Sequence, residues 1–235
     1  MYEFTSRIRD SETGPDARLS LGGLVDYFQD CCVFHSASIG RGPDVWKKEH
    51  YGWMITYWQI VINEYPKLND LVTTRTWATN FHAFEGDRNH TMKDSEGNIL
   101  ACASSRWVYF DMELNRPIRV PDVEINGYGV EEALEMANAP RHIRLPLKDV
   151  VSRRPFKVRI TNIDTNGHVN NEQYITMALA YLPADMKTRE LRVEYLRQAR
   201  LGDVLAPKVY KGEKEYIVWL ENAEGTPCAI MEFML

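Results

Sequence analysis

At 235 residues, 44% of them hydrophobic, the chain is long enough for one large or two small cores, which excludes a disordered or fibrous protein. Its formal charge of −5 excludes a dedicated nucleic-acid binder, since such a protein carries a basic stripe able to displace phosphate counterions. Six Trp and twelve Tyr favour extensive half-buried sheet, so α+β is the expected class.

The opening residues, Met1 to Asp10, contain no apolar stretch of the kind a signal peptide needs, and no later segment is long and apolar enough to cross a bilayer. A cytoplasmic protein without membrane insertion is expected. Four cysteines, two of them adjacent as Cys31 and Cys32, show neither zinc-ligand spacing nor a secreted disulfide framework, so they are expected to be reduced packing residues and no metal site is expected. The glycines at 22, 23, 40 and 42 make no phosphate-binding fingerprint.

Phe4 and Ile8 share one face of an alternating segment. After a Gly14-Pro15 turn, Leu21, Leu24, Val25, Phe28 and Cys32 follow helical spacing, with Ser20 placed as N-cap. Alternating strands are predicted over Trp53 to Ile62 and Leu71 to Trp77. The second half repeats this order: Phe156, Val158 and Ile160 alternate, a polar loop follows, and Tyr174, Ile175, Ala178, Leu179 and Leu182 mark one helical face. Strands then follow at Leu191 to Leu196 and Val204 to Tyr210. Both halves close on similar hairpins, Asp94-Ser95-Glu96-Gly97-Asn98 and Asn222-Ala223-Glu224-Gly225-Thr226, in which Gly supplies the positive φ of the turn. The shared order suggests duplication.

Prolines at 117, 121, 140, 146 and 155 surround a short helical pattern over Val130 to Ala137, as befits a crossing linker. The predicted organisation is a first domain over 1–115, a linker over 116–154 and a second domain over 155–235. Each domain is expected to lay one long helix on a curved antiparallel sheet. Trp53, Trp58, Trp77 and Trp107 are read as sheet core.

The segment from Asn162 to Asn171 places a carboxylate (Asp164), an amide (Asn166) and an imidazole (His168) on one loop between a strand and a helix. Gly167 permits strained backbone, and the helix start offers free N–H groups and a positive dipole end. Such a loop suits a carbonyl substrate, with donors for an oxyanion and a base for an attacking water. Asn170 and Gln173 equally suit a helix-capping pair in an ordinary turn, and both readings stand at this point.

Asp164-Thr165-Asn166-Gly167-His168-Val169-Asn170-Asn171, followed by Tyr174, resembles the D-x-N-x-H-V-N-N-x-x-Y signature of plant and bacterial acyl-acyl-carrier-protein thioesterases. Gly14-Pro15-Asp16, Tyr65-Pro66, Asp70 before Thr76-Trp77, Gly97-Asn98-Ile99-Leu100 and Ala103-Ser104-Ser105-Arg106-Trp107-Val108 are similar to that family as well, in the right order along nearly the whole chain. The resemblance implies two tandem hot-dog domains, the amino-terminal one helping to form the acyl pocket and the carboxy-terminal one catalytic. It implies hydrolysis of acyl-acyl-carrier protein to a free fatty acid, ending chain elongation in fatty acid biosynthesis, with no cofactor and with the carrier protein as partner.

By the same resemblance Asp164, Asn166 and His168 are the catalytic residues, and Gly167, Val169, Asn170 and Asn171 line the substrate. Family members commonly carry a Glu-Cys pair after a stretch that here reads Glu194-Tyr195-Leu196-Arg197, but this chain has Gln198-Ala199. Ala199 is no nucleophile, and an amide has no usable proton-accepting pKa, so Gln198 is left to orient a water. On an extended strand Glu194 and Gln198 would share a face, which makes Glu194 an alternative carboxylate. Asp164 is the favoured group, activating a water or attacking the thioester itself.

Arg153, Arg154, Lys157 and Arg159 precede the loop and suit an acidic carrier protein, or serve only as solvated charges. An acyl-coenzyme A thioesterase, a non-catalytic acyl-binding protein and, more remotely, a hot-dog dehydratase remain alternatives. A monomer or homodimer is expected.

Overall fold

The alternating residues at the amino terminus form strand β1 (Tyr2–Arg7), and a single 3₁₀ turn at Asp10–Glu12 leads to helix α1 (Leu21–Ser38). Ser20 caps that helix as expected: its Oγ accepts from the Gly23 amide at 3.0 Å, satisfying one of the free N–H groups that open a helix. The computed structural model describes residues 1–235 and divides the chain into two units, Met1–Asn138 and Ala139–Leu235.

In the first unit α1 is followed by α2 (Pro43–Glu49), β2 (Tyr51–Ile62), β3 (Leu71–His82), β4 (Glu85–Lys93), β5 (Ile99–Asp111), β6 (Arg116–Pro117) and α3 (Asp122–Tyr128). The sheet runs β1-β3-β4-β5-β2, antiparallel throughout, with β6 beside β5. Register sets Ala78, Arg88, Ser105 and Trp58 in one lateral row and Thr76, His90, Ala103 and Ile60 in the next. Both rows face α1, whose Phe28 ring lies 5.3 Å from His90 and 6.2 Å from Trp58, and whose His35 Nδ1 is 2.6 Å from Arg88. Trp58, Trp77 and Trp107 are buried as expected of core residues, and Trp53 is partly buried.

Residues 130–137 are not helical, contrary to the sequence pattern; the helix lies earlier, at α3. Polar groups of the sheet's outer face take the hydrogen bonds that a helix would have closed internally. Glu131 N donates to Ala78 O, Leu134 N to Asn89 Oδ1, Trp77 Nε1 to Glu132 O and Gln59 Nε2 to Ala137 O, each at 2.9 Å. Residues 116–138, expected in the linker, therefore belong to the first unit, tied to it as a strap.

Two histidines in this core give the unit a pH dependence. Burial, reinforced by the Arg88 charge, pushes His35 down to about 3 and His90 well below the ordinary imidazole value. Between pH ~6.5 and the folded values the unfolded chain binds protons that the native state refuses, so stability rises with pH across this window and is lost on acidification, by up to about 1.4 kcal/mol per pH unit for each group. Thermal unfolding measured from pH 7 to 4 is expected to show that loss. His35→Asn, which keeps an acceptor for Arg88, is expected to make it shallower, and identical pH profiles would refute the assignment.

The second unit contains β7 (Val150–Ser152), β8 (Phe156–Lys157), a 3₁₀ turn at Ile160–Asn162, α4 (Asn171–Leu179), β9 (Glu190–Tyr195), β10 (Val204–Lys211), β11 (Glu215–Glu221) and β12 (Pro227–Met234). Its sheet runs β9-β12-β11-β10-β7, with β8 pairing β10. Ile175 and Ala178 of α4 are fully buried, while Ile143, Ile217, Trp219 and Ile230 form a separate cluster on the other sheet face. Helix α4 is shorter than the apolar spacing through Leu182 predicts. Pro183 lacks an N–H and disfavours helix at the residue before it, and the chain leaves α4 through tighter turns closed by Tyr181 N on Ala178 O and Leu182 N on Leu179 O. Each unit is a helix on an antiparallel sheet, the α+β arrangement that the sequence predicts and the tandem hot-dog organisation that the resemblance implies. No helix is long and apolar enough to cross a membrane.

Candidate active site

The loop ahead of α4 is closed by its own backbone. Asp164 N donates to His168 O at 2.8 Å, Gly167 N to Asp164 O at 3.1 Å, and Ile163 bridges Val169 in antiparallel fashion. Gly167 sits at φ 81°, where a side chain would be strained. The Asp164 carboxylate completes the turn: its Oδ1 accepts from the amides of Asn166 at 2.8 Å and His168 at 3.2 Å. Asn166 Nδ2 lies 3.5 Å from Oδ2, so that oxygen keeps lone pairs for a water or substrate. Asp164 and His168 are partly buried and Asn166 is exposed, which leaves the carboxylate, amide and imidazole together at one accessible edge of the second unit.

His168 is held below its ordinary pKa, chiefly by burial and then by the Arg200 charge, against a smaller opposing pull from Asp164. At neutral pH its ring is uncharged, with one nitrogen able to accept and the other to donate. Asn170 is the N-cap of α4, its Oδ1 accepting from Glu172 N at 3.1 Å, so that amide is already engaged. The Gln173 side chain does not complete a capping box with Asn170. Its Oε1 accepts from Asn162 Nδ2 at 2.8 Å, fixing the 3₁₀ turn to the helix. Val169 is buried, and Asn171 opens the helix with its carbonyl accepting from Tyr195 Oη at 2.9 Å.

The Gln198-Ala199 pair, distant in sequence, lies against this loop. Val169 N donates to Ala199 O at 2.9 Å, and Ala199 N donates to the buried Tyr174 hydroxyl at 2.9 Å. Gln198 is exposed at the junction. Strand β9 ends at Tyr195, however, so the shared strand face assumed for Glu194 and Gln198 does not exist. Tyr195 contacts the loop's helix, and Glu194 therefore points to the opposite sheet face. There its carboxylate accepts from the Ile143 amide and lies 3.2 Å from His142 Nδ1. The structure brings Gln198 to Asp164's loop and keeps Glu194 away from it.

Sequence reasoning missed Glu172, a buried carboxylate in the first turn of α4 that accepts from Gln173 Nε2 at 2.7 Å and from the Thr176 hydroxyl. An acidic residue just inside a helix start was the available signal. It also missed that the first unit holds the same backbone frame. Gly14 N donates to Arg18 O at 2.8 Å, Ala17 N to Gly14 O at 3.0 Å, Thr13 bridges Leu19, and Ala17 takes φ 55°. There Gly14, Asp16 and Arg18 stand where the second unit has Asp164, Asn166 and His168, so only the second frame combines carboxylate, amide and imidazole.

Models of two protein families match in order: acyl-ACP thioesterase N-terminal domain over residues 1–128 and acyl-ACP thioesterase C-terminal domain over residues 147–225. The chain is 30% identical over 214 residues to acyl-[acyl-carrier-protein] hydrolase FATB3, chloroplastic, of Cuphea viscosissima, an alignment covering 84% of this chain and 52% of that protein. It is 27% identical over 216 residues to the chloroplastic palmitoyl-acyl carrier protein thioesterase of Arabidopsis thaliana, with the same coverages of 84% and 52%. The chain thus spans about half the length of these relatives. Among solved structures, an acyl-ACP thioesterase from Bacteroides thetaiotaomicron superimposes with a TM-score of 0.88 at 21% identity, covering 99% of this chain and 96% of that one. The 12:0-ACP thioesterase from Umbellularia californica gives 0.85 at 19% identity, with 99% and 96% covered.

Proposed function

Because the chain belongs to the acyl-acyl-carrier-protein thioesterase family, we propose that it hydrolyses the thioester of acyl-acyl-carrier protein, releasing a free fatty acid and ending chain elongation. The observation that carries this is the ordered match to both domains of that family, in a chain whose second unit folds the signature loop around Asp164. In this mechanism Asp164 activates a water, or attacks the carbonyl, through Oδ2. Neutral His168 and the Asn166 amide polarise the thioester oxygen or hold the water, and Gln198 orients it from the adjoining loop. Gly167, Val169, Asn170 and Asn171 shape the approach of the acyl thioester.

Arg153, Arg154, Lys157 and Arg159 are all exposed on or beside β8, and Arg197 and Arg200 are exposed on the loop after β9. This supports docking of an acidic carrier protein by charge. The four cysteines are free, which supports a reducing, cytoplasmic setting.

A panel of acyl-carrier-protein substrates of graded chain length, run beside their coenzyme A counterparts, tests the function. Steady release of free fatty acid, with higher kcat/KM on the carrier protein, is expected. Higher kcat/KM on coenzyme A would transfer the assignment to an acyl-coenzyme A thioesterase, and tight acyl binding without product would make the chain a binding protein.

A further inference from the structure

Around their loops the two units repeat the same backbone bonds. Ile8 N donates to Asp70 O and Asn69 N to Ile8 O, both at 2.9 Å, while Val158 N donates to Asp203 O at 2.8 Å and Gly202 N to Val158 O at 3.1 Å. Asn63 N and Glu64 N both donate to Leu100 O, as Leu196 N and Arg197 N both donate to Cys228 O. Lys67 N donates to Asp70 Oδ2 and Arg200 N to Asp203 Oδ2, each at 2.8 Å. Asp10 opens the first 3₁₀ turn and Ile160 the second. Asp10, Asn63, Glu64 and Leu68 thus hold the places that Ile160, Leu196, Arg197 and Leu201 hold in the catalytic unit.

The side chains at these places differ in character. Ile160 is 68% exposed, Leu201 56% and Leu196 49%. Isolated exposed aliphatics are ordinary, but the frame has no need of Ile160 and Leu196, since where it recurs it carries Asp10 and Asn63. The charges differ too. In the first unit Arg9 is paired with Glu12 and Arg18 with Glu64. In the second, Asn162 and Arg197 stand in place of those two acids, Arg159 keeps the place of Arg9, and Arg200 takes that of Lys67. The bonds of Val158 to Gly202 and Asp203 join the turns that bear Ile160 and Leu201, so both aliphatics stand on neighbouring turns beside the loop of Asp164. An apolar centre flanked by one sign of charge fits an oppositely charged protein that presents an apolar side chain of its own. A nucleotide head group uses the arginines but gains little from Ile160 and Leu196.

We propose that Ile160, Leu196 and Leu201, flanked by Arg159, Arg197 and Arg200, form the surface on which the acyl carrier docks, and that this carrier is an acidic protein with an exposed aliphatic side chain. The surface rests on the thioester-hydrolase function proposed above and specifies how its partner is held. The test compares kcat/KM of the intact chain for one acyl group on acyl carrier protein and on free pantetheine, in wild type, Ile160→Asn, Leu196→Asn and the double variant. Both substitutions are neutral, so the charge of the surface is kept, and both put a polar residue where the same frame of the first unit already has one. The ratio of carrier protein to pantetheine is expected to fall about fivefold in each single variant and about tenfold or more in the double variant, through KM. A ratio that the double variant moves by less than about twofold overturns the surface. So does an equal loss on both substrates, which would make these residues supports of the Asp164 loop. Binding of phosphatidylglycerol vesicles that the double variant abolishes, with the ratio unmoved, overturns it in favour of a membrane contact.

If the thioesters are hydrolysed but the ratios fail, the docking surface alone falls. If neither thioester is hydrolysed, the hydrolase assignment falls. The surface is then decided by calorimetric binding of acyl carrier protein, where binding at least about fivefold weaker in the double variant upholds it and absent or equal binding overturns it.

Discussion

Asp164→Asn is expected to lower kcat about 10³-fold, the usual scale for removing a positioned general base or nucleophile, while Tm stays close to the wild-type value. The two halves of that expectation have separate physical causes. Asp164 Oδ1 holds the turn by accepting from the Asn166 and His168 amides, and the amide oxygen of Asn accepts the same two bonds. What the substitution removes is the negative charge and the basicity at Oδ2. Asp164→Ala, by contrast, also strips the turn of its acceptor and should cost about 1 kcal/mol of stability. Steady-state kinetics on acyl-carrier protein and thermal unfolding of both variants separate the two roles. An Asn variant retaining a tenth of wild-type turnover would show that Asp164 only builds the loop.

Glu124→Ala should have the largest effect on stability. The carboxylate is wholly buried and joins three side chains: Arg41 Nε lies 2.6 Å from Oε1, Trp53 Nε1 2.9 Å from Oε2 and Tyr109 Oη 3.5 Å from Oε1. Truncation takes the acceptor from the Trp53 indole N–H and from the Tyr109 hydroxyl proton and deprives Arg41 of one of its two carboxylates, the other being Glu49. Breaking a buried pair of this kind costs about 3 kcal/mol, which corresponds to about 10 °C in Tm for a unit of this size. Glu124→Gln keeps an acceptor for Trp53 and should fall between the two. Scanning calorimetry would measure both losses, and a drop of less than about 2 °C in the Ala variant would mean that Glu49 alone neutralises Arg41.

The elements legible in the sequence are those whose causes are local. Ser20 caps α1 where its spacing predicts, and the two Glu-Gly hairpins form where turn chemistry puts them. What escaped the sequence depended on distant partners. Residues 130–137 have helical spacing, but the backbone of the strap follows Ala78 and Asn89 instead. The frame shared by Thr13–Leu19 and Ile163–Val169 is held by backbone hydrogen bonds, and no residue is identical at equivalent positions, so the sequence could not display it. In the site, the signature named the loop, but only tertiary contacts through Tyr174 and Val169 put Gln198-Ala199 against it, and only strand alternation with a known partner put Glu194 on the other face. Glu172 went unremarked because a charge in a helix's first turn is ordinarily solvated, and here it is buried.

A protease that cut after Pro117 and released the peptide beyond it would take more from the first unit than a loose tail. With that peptide go the acceptors of Trp77 Nε1 and Gln59 Nε2, the donor to Asn89 Oδ1, and the carboxylate that binds Arg41. The outer face, where Trp77, Asn89, Ser104 and Gln59 stand in one lateral row, would then lie open to water. The shortest fragment of the amino-terminal half fit for separate expression therefore ends at Asn138, and the resistance of the segment from Pro121 to Asn138 to nicking reports on whether that half is intact.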